Sequence, residues 1–232
     1  WNSVLLEGHY SCIIKYRIGG RNMIYVTGDS HANFKHRFST ENFPEQKDMT
    51  KDDYLIICGD FGAVWYGNKK DNYLLDKFYS HKKCTVLFVD GNHENFDRLY
   101  SYPVEVWNGG KVHKLRNSVI HLMRGQVFTI DEKKIFTFGG ASSHDISGGI
   151  LEPDDPDFKK KKKELDKGWK PYRINHVSWW KEELPSTEEM DEGWKNLMRH
   201  ENTVDFIVSH CASSSATTFL GQGSYKTDDL TD

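Results

Sequence analysis

The chain has 232 residues, 37% of them hydrophobic and 28% charged, and a formal net charge of −3. That suits one good-sized α/β domain with an ordinary core, and excludes a global electrostatic pull toward nucleic acid or anionic membrane. No apolar run approaches the roughly 18 residues a membrane-spanning helix needs, and residues 1–22 lack an apolar leader with a cleavage site, so a cytoplasmic protein is expected.

Residues 1–22 have weak periodicity, and Met23 stands directly before the first convincing strand. They read as an N-terminal extension to a domain spanning 23–232. Met23–Thr27, Tyr54–Cys58 and Thr85–Val89 are apolar runs of strand length, the pattern of strands buried on both faces. Between the second and third, Lys69 to His81 carries Tyr73, Leu74, Phe78 and Tyr79 at a spacing that predicts an amphipathic crossover helix. Ser118–Met123, Gln126–Ile130 and Lys134–Phe138 predict more strands, the last two joined by a turn at Asp131-Glu132.

The stretch from about 146 to 185 breaks this order. It holds Gly148-Gly149, prolines, an acidic patch and then Lys159–Lys163, and reads as an exposed excursion over the surface. Trp169, Trp179, Trp180 and Trp194 are expected to pack this excursion onto the body. Beside Asp154, Asp155 and Asp157, the lysines read as a solvated face; the alternative is a clamp on a phosphate backbone, as in a nuclease. Ser186-Thr-Glu-Glu189 is a capping box that starts a helix running to about His200, and Val204–Ser209 is a further strand. The four cysteines, Cys12, Cys58, Cys84 and Cys211, show no metal-ligand spacing and read as reduced thiols.

The strands deliver polar clusters at their carboxyl ends: Gly28-Asp29-Ser30-His31, Gly59-Asp60-Phe61-Gly62, Gly91-Asn92-His93-Glu94, and Ser209-His210. In open α/β sheets functional groups gather just there. Asp29, His31, Asp60 and Asn92 are hard or borderline donors suited to manganese, iron, zinc or similar divalent ions. Two such ions about 3.5–4 Å apart clamp a phosphoryl oxygen and generate hydroxide at neutral pH. On the substrate side, Arg124 is a candidate phosphate contact and His144 either lines the cleft or sits in a turn. Trp65 either stacks on an aromatic leaving group or packs under its loop.

The order Asp-x-His, Gly-Asp, Gly-Asn-His-Glu and then a strand ending in His resembles the calcineurin-like metallophosphoesterases, from about Met23 to the end of the chain. The resemblance implies an α/β fold, a four-layer αββα sandwich with two mixed β-sheets. It also implies hydrolysis of phosphate mono- or diesters, with a metal-bound hydroxide as nucleophile, at two divalent ions (manganese, iron, zinc, nickel or magnesium). Asp29 and His31 would ligate the first ion, Asp60 would bridge both, and Asn92 and His210 would ligate the second. His93 would be the catalytic acid, and Glu94 would orient the loop.

Two departures stand out. The family's second motif often continues Gly-Asp-x-x-Asp-Arg, whose second Asp supports the catalytic His, whereas this chain has Ala63-Val64. The family's closing Gly-His-x-His does not follow His210, so a chain truncated before that motif is expected. The segments around Ser178–Ser186 and Val208–Ser213 look like those of uncharacterised bacterial members, which points to a bacterial or phage source. The expected partner is a phosphoester; nucleic acid is not favoured and no membrane is involved. The rival readings are a non-catalytic interaction module on the same fold and the nuclease already mentioned.

Overall fold

Alternate residues of the strands that carry the polar clusters are buried on opposite faces, and this sorts the molecule into layers. The structure is a computed structural model that describes residues 14–17, 22–212 and 218. Its strands are β1 (Ile14–Arg17), β2 (Met23–Thr27), β3 (Tyr54–Cys58), β4 (Thr85–Val89), β5 (Val104–Trp107), β6 (Gly110–Arg116), β7 (Val119–Leu122), β8 (Gln126–Ile130), β9 (Lys133–Phe138), β10 (Ile150–Leu151), β11 (Arg173–Ile174) and β12 (Phe206–Ser209). Seven of them form one mixed sheet in the order β1-β2-β3-β4-β7-β6-β5. There β2, β3, β4 and β7 are parallel, while β1 and the β5–β6 hairpin pair antiparallel. A second mixed sheet runs β12-β9-β8.

Tyr25, Leu55, Ile57, Val86 and Phe88 point to one side of the large sheet, where Phe38, Phe43, Phe61, Leu75 and Tyr79 cover them. Their neighbours Ile24, Val26, Ile56, Leu87 and Val89 point to the other side and meet Phe128, Ile130, Ile135 and Val208 of the small sheet. Each such side chain, fully buried, contributes about 1.5–3 kcal/mol relative to exposure. The α-helices among the described residues are α1 (Phe34–Arg37), α2 (Lys69–Tyr73), α3 (Phe96–Leu99), α4 (Phe158–Lys167) and α5 (Thr187–Arg199). α5 lies on the outside of the small sheet, where Gly193 comes up against the rings of Phe136 and Phe138 and Asn196 Nδ2 donates to the carbonyl of Gly125. The layers are therefore helix, sheet, sheet, helix, as the αββα expectation required.

The crossover helix is present as α2 continued by a π-helical segment, Leu74–Tyr79, which buries Leu75 and Tyr79. The capping box is made in full, with the Ser186 hydroxyl accepting from Glu189 N and the Glu189 carboxylate accepting from Ser186 N. Asp131 and Glu132 both take positive φ, the geometry of a tight hairpin turn between β8 and β9. Ile14–Arg17, within the segment read as an extension, pair residue by residue with β2 and form the edge of the sheet.

The excursion has regular structure of its own: a parallel pair, β10–β11, and the ten-residue helix α4, which carries all five lysines of Lys159–Lys163. Lys161 pairs with Asp155 and Lys162 with Asp166, so part of that charge is neutralised locally. Trp180 anchors the excursion as expected; it is 1% exposed, and its Nε1 donates to Asp97 at 2.6 Å. Trp169 and Trp194 do not, since they are 93% and 64% exposed. Cys58 and Cys84 are buried free thiols, which burial pushes up to about 12 and about 11; Cys12 lies outside the described residues. No described helix is long and apolar enough to cross a membrane.

Candidate metal centre

β2, β3 and β4 pair in parallel register, so the turns that follow them open on one edge of the large sheet. β12 of the small sheet brings His210 to the same place. The first two turns are stitched together by backbone: Ser30 N and His31 N both donate to the carbonyl of Asp60, and Ala32 N donates to that of Phe61. His31, Ala32 and Asp60 all sit at positive φ, from 42° to 54°. Such conformations cost about 1–3 kcal/mol each and gather where a site over-determines its backbone. Two glycines make the close approach possible. A Cβ on Gly59, itself at φ +90°, would stand 2.1 Å from His210 Nδ1, and one on Gly91 would stand 2.2 Å from Asp60 Oδ1.

The side chains then converge. Asp29, Asp60 and His210 each offer one donor atom, all within 4.8 Å of one another. His31 Nε2 lies 3.6 Å from Asp29 Oδ2 and 3.4 Å from Asp60 Oδ2. His210 Nε2 lies 3.6 Å from Asp60 Oδ1 and 3.3 Å from Asn92 Oδ1. His93 donates its backbone N–H to Asp60 Oδ1 at 2.8 Å, and its ring stands edge-on to His31 with centroids 5.4 Å apart. All six residues expected at the centre, Asp29, His31, Asp60, Asn92, His93 and His210, are thus brought together.

The donor set fits divalent cations, and His210 makes the point. Its Nδ1 hydrogen-bonds the carbonyl of Cys58 at 2.8 Å. A ring that donates there presents the lone pair of Nε2 to Asn92 Oδ1 and Asp60 Oδ1, so three acceptors face one another. A cation among them satisfies all three, and a backbone carbonyl on the far ring nitrogen is the usual support for a ligating histidine. The Asp29 carboxylate, as acceptor beside it, raises the His31 pKa against the effect of burial. Burial would raise that of Asp29, but the His31 hydrogen bond and the charge of His210 bring it below its ordinary value. Burial lowers that of His93; Asp60 opposes the shift and Arg173 adds to it.

A ring of partners that sequence reasoning did not find holds these groups. Asn92 Nδ2 donates to Ser143 Oγ, and Ser143 in turn donates N–H and Oγ–H to the buried carboxylate of Glu183, at 2.9 and 2.6 Å. Glu183 comes from the excursion, 40 residues away from Ser143, and no local pattern announces it. Glu94 orients its loop as anticipated: its carboxylate accepts from Phe61 N and Gly62 N. Burial drives the Glu94 pKa well above the ordinary range.

The substrate-side candidates fare differently. Arg124 is not a phosphate contact, because its side chain is buried and committed. Its Nε donates to Asp90 Oδ2 at 2.7 Å, Nη2 reaches the same carboxylate and the Glu182 carbonyl, and Nη1 reaches Glu189. Burial would raise the Asp90 pKa, but Arg124 and His121 hold it well below the ordinary carboxylate range. Trp65 packs edge-on against Trp180, the packing alternative. His144 is exposed on its loop, and the contact with Asn92 comes from its neighbour Ser143.

The family model for the calcineurin-like phosphoesterase matches residues 23–230. Lariat debranching enzyme A of Xenopus laevis is 31% identical over 148 residues, covering 56% of this chain and 26% of that protein. The lariat debranching enzyme of Danio rerio is 28% identical over 149 residues, covering 56% of this chain and 24% of that protein. The match thus spans about a quarter of the length of these relatives. No solved structure matches the chain.

Proposed function

The chain belongs to the calcineurin-like phosphoesterase family, and from that premise we propose that it hydrolyses phosphodiesters at a dinuclear centre of divalent metal ions. The observation that carries the reading is the convergence of Asp29, Asp60 and His210, with His210 turned toward Asp60 and Asn92 by its bond to Cys58. In the pairing we favour, Asp29 and His31 would hold one ion and Asn92 and His210 the other, with Asp60 shared between them. When bound, the ions supply positive charge for the phosphoryl oxygens and an acidified water. Manganese is the ion to try first.

His93 stands beside this group, tethered through its backbone N–H to Asp60. Its role is to donate a proton to the leaving oxygen. As the new P–O bond to the attacking water forms and the P–O bond to the alcohol breaks, that proton lets the alcohol depart neutral. The water's proton restores His93 at the end of the cycle. Diesters are favoured over monoesters because the two relatives are named as debranching enzymes, and a phosphate that joins a branch to a chain is by its chemistry a diester.

The test is turnover of p-nitrophenyl phosphate and its bis-ester with added manganese, with Asp60→Asn alongside. We expect the bis-ester to be the better substrate and the variant to lose both turnover and bound manganese. Wild-type rates in Asp60→Asn would refute the bridged pair, and a preference for the monoester would refute the diester assignment.

A further inference from the structure

We infer that Arg173, held against Asp145 beside His93, is the residue of this chain that grips the substrate phosphate. The inference deepens the proposed function and rests on it.

A centre built from Asp29, Asp60, Asn92 and histidines offers a phosphoester no fixed cation of its own. Two arginines near it among the described residues are engaged elsewhere. Arg124 is committed to Asp90 and the Glu182 carbonyl, and Arg37 Nη1 donates to the carbonyl of Gly28 at 2.8 Å. The Asp60 loop provides none, since Ala63 and Val64 are buried in the apolar core.

The excursion delivers a cation from another direction. Arg173 is a residue of β11, which pairs with β10, and its backbone N–H bonds Gly149. The base of the excursion is tied down by Trp180 and His176 on Asp97 and by Glu183 on Ser143. Arg173 forms a two-pronged pair with Asp145, Nε to Oδ1 at 2.9 Å and Nη2 to Oδ2 at 2.5 Å. Asp145 is two residues from Ser143, the partner of the Asn92 amide, so the pair stands on the loop that contacts the metal centre. Arg173 and Asp145 both lie within electrostatic reach of His93. The Arg173 side chain is 19% exposed and that of Asp145 is 51% exposed.

This is the arrangement of a planar fork preset by a carboxylate. The guanidinium that receives two carboxylate oxygens is equally matched to two non-bridging phosphoryl oxygens. Asp145, half in water, is the partner that a phosphate displaces. Lysine would supply the charge without the two-pronged geometry.

A merely structural ion pair has a different signature, and opposite signs separate the two. Manganese-loaded wild type, Arg173→Met, Arg173→Lys and Asp145→Asn would be titrated with inorganic phosphate by calorimetry, with metal content measured on each sample. Kinetics on the bis-ester would follow. For Arg173→Met we expect phosphate affinity to fall at least about tenfold, with manganese content unchanged and the loss appearing chiefly in KM. Arg173→Lys recovers part of it. Asp145→Asn frees the fork, so phosphate binds as tightly as in wild type or more tightly. Equal phosphate affinity in wild type and Arg173→Met would overturn the inference while leaving the metal centre intact. So would Asp145→Asn weakening phosphate as much as Arg173→Met does, the mark of a structural pair. Wild type that binds manganese but neither phosphate nor the bis-ester would take the proposed function down as well.

Discussion

Replacing Arg124 by methionine tests whether the base of the site is structural or part of substrate binding. The Arg124 side chain is 1% exposed and that of Asp90 is 0% exposed, so the pair is dry. The substitution keeps much of the apolar stem while removing the guanidinium that lies over the Phe96 ring and its hydrogen bonds to Asp90 and to the Glu182 carbonyl. Removing one partner of a buried pair leaves an uncompensated charge and costs about 3–5 kcal/mol. For a domain of this size that corresponds to a fall in Tm of roughly 6–20 °C. Urea unfolding followed by tryptophan fluorescence and far-UV circular dichroism would measure it. The double change Arg124→Met with Asp90→Asn removes both charges, so it should recover a substantial part of the loss. A single variant that loses less than about 1 kcal/mol would refute the reasoning, because no dry, paired charge would then exist there. A stable variant that had lost phosphate affinity would instead restore Arg124 as a substrate contact.

Three further outcomes follow from the same geometry. Gly59→Ala forces a Cβ to within 2.1 Å of His210 Nδ1 and breaks its bond to Cys58, so manganese affinity should fall about 10–100-fold in an equilibrium titration; unchanged affinity would mean that His210 is not a ligand. Ser186→Ala removes the capping box of α5 and should cost about 1 kcal/mol in urea unfolding, without altering manganese binding. If α4 is a solvated face, changing Lys159, Lys160 and Lys163 to serine leaves affinity for single-stranded RNA, and its dependence on salt, as in wild type; a shallower salt dependence would mark α4 as a phosphate-backbone contact.

What could be read from the sequence and what could not divide along a physical line. The strands β2, β3 and β4 are buried on both faces, so they appear as continuous apolar runs, and the turns after them must carry any chemistry the sheet edge supports. Asp29, His31, Asp60, Asn92, His93 and His210 were legible because each follows such a run within four residues. β5 was missed although Asn108-Gly109 announces a tight hairpin, with both residues at positive φ. Val104 and Val106 of that strand are exposed, so no buried face gave the pattern away.

The excursion was illegible for a stronger reason. Its order comes from polar pairs between residues far apart in the chain, such as Trp180 with Asp97, Glu183 with Ser143 and Arg173 with Asp145, and such pairs leave no periodicity to read. Arg124 misled by the same logic. An arginine beside a strand end looks like a phosphate ligand until the carboxylate 34 residues upstream is seen to have claimed it. Metal ligands at strand ends are set by local geometry and can be read from the chain, whereas the groups that position them and face the substrate are chosen by long-range packing. The specificity of this site is therefore to be sought in residues 143–183, where the excursion meets the Asn92 loop, and Arg173 is the cation there that pairs with Asp145, two residues from Ser143.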